Sequence, residues 1–127
     1  MRCNAGIITE KVSETKRFYT ELLDFQVVFE NDWFILMATP EPHYSELSFL
    51  KPHHPSQPSL FQQPFDGQGV YLTINVADVD AVHAHLMNLG VPVVVSLRDE
   101  PWGDRHFSIV DPNGVGVDIV SNPHFPL

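Results

Sequence analysis

Pro101-Trp102-Gly103-Asp104-Arg105-His106-Phe107-Ser108-Ile109-Val110 runs into Asp111-Pro112-Asn113-Gly114 and leaves through Val115-Gly116-Val117-Asp118-Ile119-Val120. The stretch reads as two strands joined by a tight turn. The Asp111 carboxylate can accept a hydrogen bond from the backbone two residues on. Pro112 presets the φ of the first turn position, and Gly114 supplies the left-handed residue of a type I turn with a one-residue bulge. With that bulge, Ser108 faces Asp118 across the hairpin and His106 lies on the same face, two residues along. A two-residue loop would instead put His106 and Asp118 on opposite faces. Asp118 sits inside an otherwise apolar strand, and a buried charge is unfavourable unless it is paired or hydrogen-bonded.

Working outward, the chain shows one order of elements twice. Asn4 to Val12 reads as a strand. Ser13 is a candidate helix cap, with Glu14 favourable in the first turn. Phe18, Tyr19, Leu22 and Leu23 recur at helical spacing, so the helix runs to about Leu23. Strands follow at Phe25 to Glu30, Trp33 to Ala38 and Tyr44 to Leu50, with Asn31-Asp32 as a turn. Lys51 to Gly69 holds Pro52, Pro55, Pro58 and Pro64 with Gly67 and Gly69, and reads as a linker or a long surface loop. The pattern then restarts: a strand at Val70 to Val76, Asp78 as a helix cap, and Val79, Val82, Leu86 and Leu89 on one helical face. Gly90 is the left-handed stop. Strands are expected at Val91 to Ser96, Arg105 to Val110 and Val115 to Ser121. Leu23-Asp24-Phe25-Gln26-Val27-Val28 echoes Leu89-Gly90-Val91-Pro92-Val93-Val94. The expectation is an α+β fold of one domain, 1–127, with two tandem βαβββ repeats at about 1–50 and 69–121 joined by a linker at 51–68. A helix covering one face of each sheet would leave the other faces to curl into an open cleft.

The bulk numbers narrow the class. A chain of 127 residues holds one core rather than several, and 43% hydrophobic with 11% aromatic content is that of a globular protein. No apolar run approaches the roughly 20 residues of a membrane helix, so no membrane is expected. Seven Lys and Arg against sixteen Asp and Glu give a net charge of −9, which argues against nucleic acid as partner. The acidic balance can steer a cationic ligand, or serve only solubility. One cysteine, Cys3, allows no internal disulfide and no CxxC zinc site. A cytoplasmic protein is the expectation.

Given the repeat and the Trp102 to Val120 stretch, the chain resembles the vicinal oxygen chelate superfamily. That group includes glyoxalase I, extradiol dioxygenases, fosfomycin-resistance proteins and bleomycin-resistance proteins. Phe18-Tyr19 followed by Leu22-Leu23-Asp24-Phe25 matches its first-helix signature, and Asp111-Pro112-Asn113-Gly114 its final hairpin. Asp24 stands where glycine is usual, and Asp tolerates the left-handed conformation. These motifs specify the fold more than the activity. The metal-dependent members, by resemblance, place ligands at positions that here hold Asn4, Tyr71, Glu46 or Ser48, and Asp118. Both usual histidines are missing, and a Lewis-acid site needs three or more good ligands. No metal or other cofactor is therefore expected; a divalent metal held by Glu46, His106 and Asp118 is the fallback.

The residues left to carry a function are Asn4, Glu46, Phe49, Tyr71, Trp102, His106, Ser108 and Asp118. His106 beside a carboxylate can act as a general acid or base, or simply satisfy a buried pair. Trp102, Trp33, Tyr71 and Phe49 can stack a flat or cationic ligand, with core packing the plainer reading for Phe49 and Trp33. His83 and His85, two apart on a helix, point to different faces and cannot clamp one metal. His53-His54 lies in the Pro-rich loop. The reading that results is a metal-independent protein that sequesters a small aromatic or cationic compound, as in the bleomycin-resistance branch. The alternative is a lyase, isomerase or dioxygenase with a non-standard metal site. A homodimer is the expected assembly.

Overall fold

The computed structural model describes residues 1–127. It holds two compact units, Met1–Asp66 and Gly67–Leu127. Each has the order strand, helix, three strands, and no helix is long and apolar enough to cross a membrane. The fold is α+β, with two mixed four-stranded sheets.

In the first unit the elements are β1 (Ala5–Ile8), α1 (Val12–Leu23), β2 (Gln26–Glu30), β3 (Phe34–Ala38) and β4 (Glu46–Leu50). The sheet order is β1-β4-β3-β2, with β1 parallel to β4 and the other pairs antiparallel. Alternation sends Ile7, Ile35, Met37 and Phe49 to one face, where they are buried under α1. Tyr19 descends from α1, stacks on Phe49 at 5.5 Å and meets the Phe25 ring edge-on at 5.3 Å. Asp24 takes the left-handed φ of 58° that ends α1, and the Phe25 N–H reaches back to the Tyr19 carbonyl at 3.0 Å.

Two expectations about this end of the chain need correction. The first strand stops at Ile8 rather than Val12. α1 begins at Val12 with Lys11 at its cap, so Ser13 lies inside the first turn and caps nothing. The cause is Thr9: its hydroxyl accepts the Lys11 N–H at 2.9 Å and turns the chain early. The stretch expected as a linker or loop is a structured loop held on the first unit. It contains a 3-10 turn at Ser59–Phe61. The Gln62 amide donates to the carbonyls of His54 and Gln57, the His54 ring stacks on Trp33 at 4.4 Å, and the Phe65 N–H donates to the Ile8 carbonyl at 2.8 Å.

The second unit holds β5 (Tyr71–Asn75), α2 (Val79–Asn88), β6 (Val95–Asp99), β7 (Arg105–Val110) and β8 (Gly116–Ser121), in sheet order β5-β8-β7-β6. Asp78 caps α2 by accepting the Ala81 N–H at 3.0 Å. Val79 and Leu86 are buried, but Leu89 lies beyond the helix and is exposed. The strand expected at Val91 to Ser96 starts only at Val95. The preceding residues close the helix end instead, with the Val91 N–H on the Leu86 carbonyl at 3.1 Å. Phe107, Ile109, Val117 and Ile119 form the core beneath α2, with His83 edge-on to Phe107 at 4.9 Å.

The β7–β8 turn is the bulged one. Gly114 has φ 83°, and its N–H donates to the Asp111 carbonyl at 3.1 Å. Asp111 is buried, and its Oδ1 accepts the N–H groups of Asn113 at 2.8 Å and Val115 at 2.9 Å. The register that results is Ser108 opposite Asp118. Removing a buried acceptor leaves donors unpaired, so Asp111→Ala should lose about 1–3 kcal/mol of stability, while Asp111→Asn should keep most of it. Urea unfolding of both variants checks this; equal midpoints for wild type and Asp111→Ala would contradict the role given to the turn.

Candidate functional site

The face of the second sheet turned away from α2 carries the polar side chains. With Phe107, Ile109, Val117 and Ile119 committed to the core, the alternating residues His106, Ser108 and Asp118 must share the other face. Asp118 pairs with Thr73 on β5, so Thr73, and Tyr71 two residues earlier, belong to that face as well. Tyr71 itself pairs with Gly116 and is 74% exposed.

His106 is bonded at both ends of its ring. Nδ1 lies 2.7 Å from Asp118 Oδ1, and Nε2 lies 3.2 Å from Glu100 Oε1. The Ser108 hydroxyl donates to the same Asp118 oxygen at 2.9 Å. Ionised carboxylates only accept, so both ring contacts are hydrogen bonds only when each nitrogen carries a proton. The imidazolium satisfies both; either neutral tautomer turns a lone pair toward a carboxylate. Burial of the ring acts to lower its pKa, but the hydrogen bonds it donates to Asp118 and Glu100 together outweigh it and raise the value above the usual 6.5. Glu100 is held below its usual 4.5, chiefly by the hydrogen bond from His106 and then by the one from Arg98. Arg98 is ion-paired to Glu100 through the same oxygen that faces His106. A row of alternating charge results: Arg98, Glu100, His106, Asp118. Asp118 Oδ1 accepts two hydrogen bonds, and Oδ2 accepts none from a protein group.

Of the residues singled out from the sequence, His106, Ser108 and Asp118 are brought together. Trp102 is not on the strand: it stands in the β6–β7 loop, 63% exposed, with its Nε1 donating to Asp104 at 2.8 Å. Asp104 also accepts from Asn122 at 2.7 Å; these two hydrogen bonds, Asn122 first, hold its carboxyl below the usual range. Phe49 must be removed from the ligand-binding set. It is 1% exposed and stacked on Tyr19 beneath α1, on the face of β4 that alternation reserves for the core.

In the first unit, Glu46 is ion-paired to Arg2 and accepts the Asn4 amide N–H at 3.3 Å. Arg2 also lies over the Tyr44 ring, 5.0 Å from its centre. The register answers which first-unit residue corresponds to Asp118. Ser48 pairs with Gly6 as Asp118 pairs with Thr73, so the counterpart is Ser48, not Glu46.

This donor set does not fit the divalent centre that the superfamily resemblance implies. Asn4 turns its N–H toward Glu46, Asp118 is occupied by His106 and Ser108, and Tyr71 lies one register step from Asp118. No three or more His, Cys, Asp or Glu side chains gather as an ion would require. The fallback set does not gather either. Glu46 is committed to Arg2, while His106 and Asp118 are bonded to each other and do not converge on a common ion.

Glu100 was not legible as a member of the site. It lies six residues from His106 along the chain, beyond the tight Pro101–Gly103 turn. The signal was there in principle: Arg98 pairs with His106, and the Glu100 N–H bonds the Asp104 carbonyl at 2.8 Å, so Glu100 follows Arg98 onto the His106 side.

Residues 4–119 match the Glyoxalase/Bleomycin resistance protein/Dioxygenase superfamily, and the chain belongs to it. Curated relatives include uncharacterised proteins of Mycobacterium bovis and Mycobacterium tuberculosis, each 42% identical over 56 residues. That stretch is 44% of this chain and 37% and 33% of theirs, so the match spans about a third of those relatives' length. Among solved structures, TnmS3, an antibiotic binding protein from Streptomyces sp. CB03234, superposes with a TM-score of 0.73 at 21% identity, covering 96% of this chain and 95% of that one. A lactoylglutathione lyase from Agrobacterium tumefaciens superposes with a TM-score of 0.72 at 17% identity, covering 95% and 92%. The fold is therefore common to a binder and an enzyme and does not choose between them.

The charge row gives a pH signature. Glu100 contributes stability present above 4.5 and lost as pH falls through its lowered folded pKa. His106 contributes stability present below 6.5 and lost as pH rises through its raised folded pKa. Wild type should exceed His106→Gln in stability most clearly between those two values, with the gap closing as pH rises above neutrality. Urea unfolding at a series of pH values measures it; a gap that widens in alkali would contradict the assignment.

Proposed function

We propose that this chain is a metal-independent small-molecule-binding protein that sequesters an aromatic or cationic compound at the face carrying Asp118. The observation that supports this reading is the setting of Asp118: one oxygen is fixed by His106 and Ser108, and the other has no protein donor and is open to a ligand. A carboxylate clamped in this way is a preorganised acceptor for a ligand N–H or O–H, which is how sparse polar groups orient a ligand in an otherwise apolar site. Tyr71 and Trp102 are exposed aromatic side chains of the same unit, suited to stacking a flat ligand. The net charge of −9 favours a cation at long range. The likeness to an antibiotic binding protein agrees with this reading, though at 21% identity it carries the fold alone.

Metal independence rests on the donor set: no three His, Cys, Asp or Glu side chains converge, and His106 and Asp118 are turned to each other. The enzymatic alternative, metal-free acid–base chemistry by His106, meets the same obstacle, because both ring nitrogens are engaged by carboxylates. A homodimer belongs to the reading: β2 is an edge strand with Val27, Val28 and Phe29 exposed. So does a reducing, cytoplasmic setting for the exposed Cys3 thiol.

Calorimetric titration and quenching of tryptophan fluorescence, with bleomycin-like cations and with neutral aromatics, test the proposal. Binding should be unchanged after dialysis against EDTA. Asp118→Ala should weaken it by about tenfold or more, the usual effect of losing a hydrogen bond to a charged group. Stoichiometric zinc, nickel or iron in the purified protein, lost in Asp118→Ala, would move the reading to the enzyme class. Absence of binding for every compound tried would sink it.

A further inference from the structure

We propose that Glu100 sets the ligand class of this face: by taking the second imidazole N–H it keeps His106 cationic against Asp118, so the face accepts an aromatic ligand through a neutral donor and rejects a cation. The inference rests on the reading of Asp118 as the ligand acceptor and narrows it.

A lone Asp118 would present a full negative charge to a ligand and prefer an ammonium, amidinium or guanidinium group. Asp118 is not alone: a ring nitrogen lies 2.7 Å away, inside the range of charge-assisted hydrogen bonds. If the ring is cationic, the pair is neutral as seen from Oδ2, and a second cation there meets repulsion from His106. If the ring is neutral, the charge of Asp118 is uncompensated and the preference reverses. Glu100 decides between these states, because its Oε1 faces Nε2 at 3.2 Å and requires a proton there. The side chains of Glu100 and His106 are each only 12% exposed, so water screens this contact poorly.

The other charged groups around the ring do not reverse this assignment. Arg98, on β6, is spent on Glu100. Asp104, in the β6–β7 loop, adds a further negative charge near the ring and is bonded to Trp102 and Asn122. Arg105 is turned to Asp80 and Asp99. On β5 the same face offers Tyr71, Thr73 and Asn75, none of them charged at neutral pH. Nothing from α2 reaches this side of the sheet; its His83 packs on Phe107 in the core.

The test needs an isosteric pair of probes that differ in charge, benzamide and benzamidinium, and the isosteric variant Glu100→Gln. Side-chain nitrogen NMR follows His106 in the free protein across pH, and calorimetry gives both affinities at one pH between the His106 midpoints of wild type and Glu100→Gln, where the ring is mostly protonated in the first and mostly neutral in the second. In wild type, His106 should be doubly protonated there and benzamide should bind more tightly than benzamidinium. In Glu100→Gln the His106 midpoint should fall, and the affinity ratio should shift toward benzamidinium by about tenfold, the scale of one unit charge acting across a partly screened few ångströms. A neutral His106 in wild type, or an unmoved midpoint in Glu100→Gln, overturns the role of Glu100 whatever binds. A shifted midpoint with an unchanged affinity ratio overturns the ligand-class inference while leaving the binding site. If His106 titrates as described but neither probe nor any other aromatic binds, the binding reading itself fails and this inference falls with it.

Discussion

The Asp111 carboxylate, buried in the β7–β8 turn and accepting two backbone N–H groups, is the constraint on which the second unit depends. Side chains alternate along a strand, so a slip of one residue in this hairpin would exchange its faces. Phe107 and Ile119 would leave the core, and His106 and Asp118 would lose each other. The turn therefore fixes two things together: which residues pack under α2, and which polar groups meet on the far side. Hydrophobic packing alone would also favour this register, but it cannot say where the extra turn residue goes. Gly114 at φ 83° and the Asp111 side chain settle that locally.

This locality explains what was legible. The β7–β8 register, the Asp78 cap and the left-handed Asp24 and Gly90 each depend on residues within a few positions of one another, and each stands as read. Ser13 misled because the chain turns earlier, where the Thr9 hydroxyl takes the Lys11 N–H, so α1 starts at Val12 without a side-chain cap. The Pro-rich stretch 51–68 reads as a linker or a long surface loop by composition, and the side-chain and backbone contacts that hold the loop are ones composition does not encode. For Phe49 the plainer of its two readings, core packing, is the one that stands, because its register with Ile7 and Ile35 assigns it to the core face.

The two units share one topology and differ in what they place on the equivalent face. Where the second has Thr73 beside Asp118, the first has Gly6 beside Ser48. A Cβ on Gly6 would lie 2.8 Å from the Ser48 hydroxyl, so a side chain there would force that hydroxyl to turn aside. The carboxylate on this face of the first unit, Glu46, lies two residues before Ser48 on β4 and is neutralised by Arg2. Duplication has thus kept the scaffold twice, while only the second copy retains a carboxylate with an oxygen free of hydrogen bonds.

The charge row Arg98, Glu100, His106, Asp118 contributes more to selectivity than to stability. Desolvating four charged groups offsets most of the attraction between them, and ion pairs at this level of exposure add little net free energy. Their alternation has a different consequence. Each charge is cancelled by a neighbour, so the face carries a strong local hydrogen-bonding field with almost no net charge, inside a protein whose surface is acidic. Long-range steering by the surface and short-range selection by the face then act on different properties of a ligand: its total charge governs approach, and the group it presents to Asp118 Oδ2 governs retention. An aromatic compound with a remote cationic group and a neutral donor at the contact satisfies both.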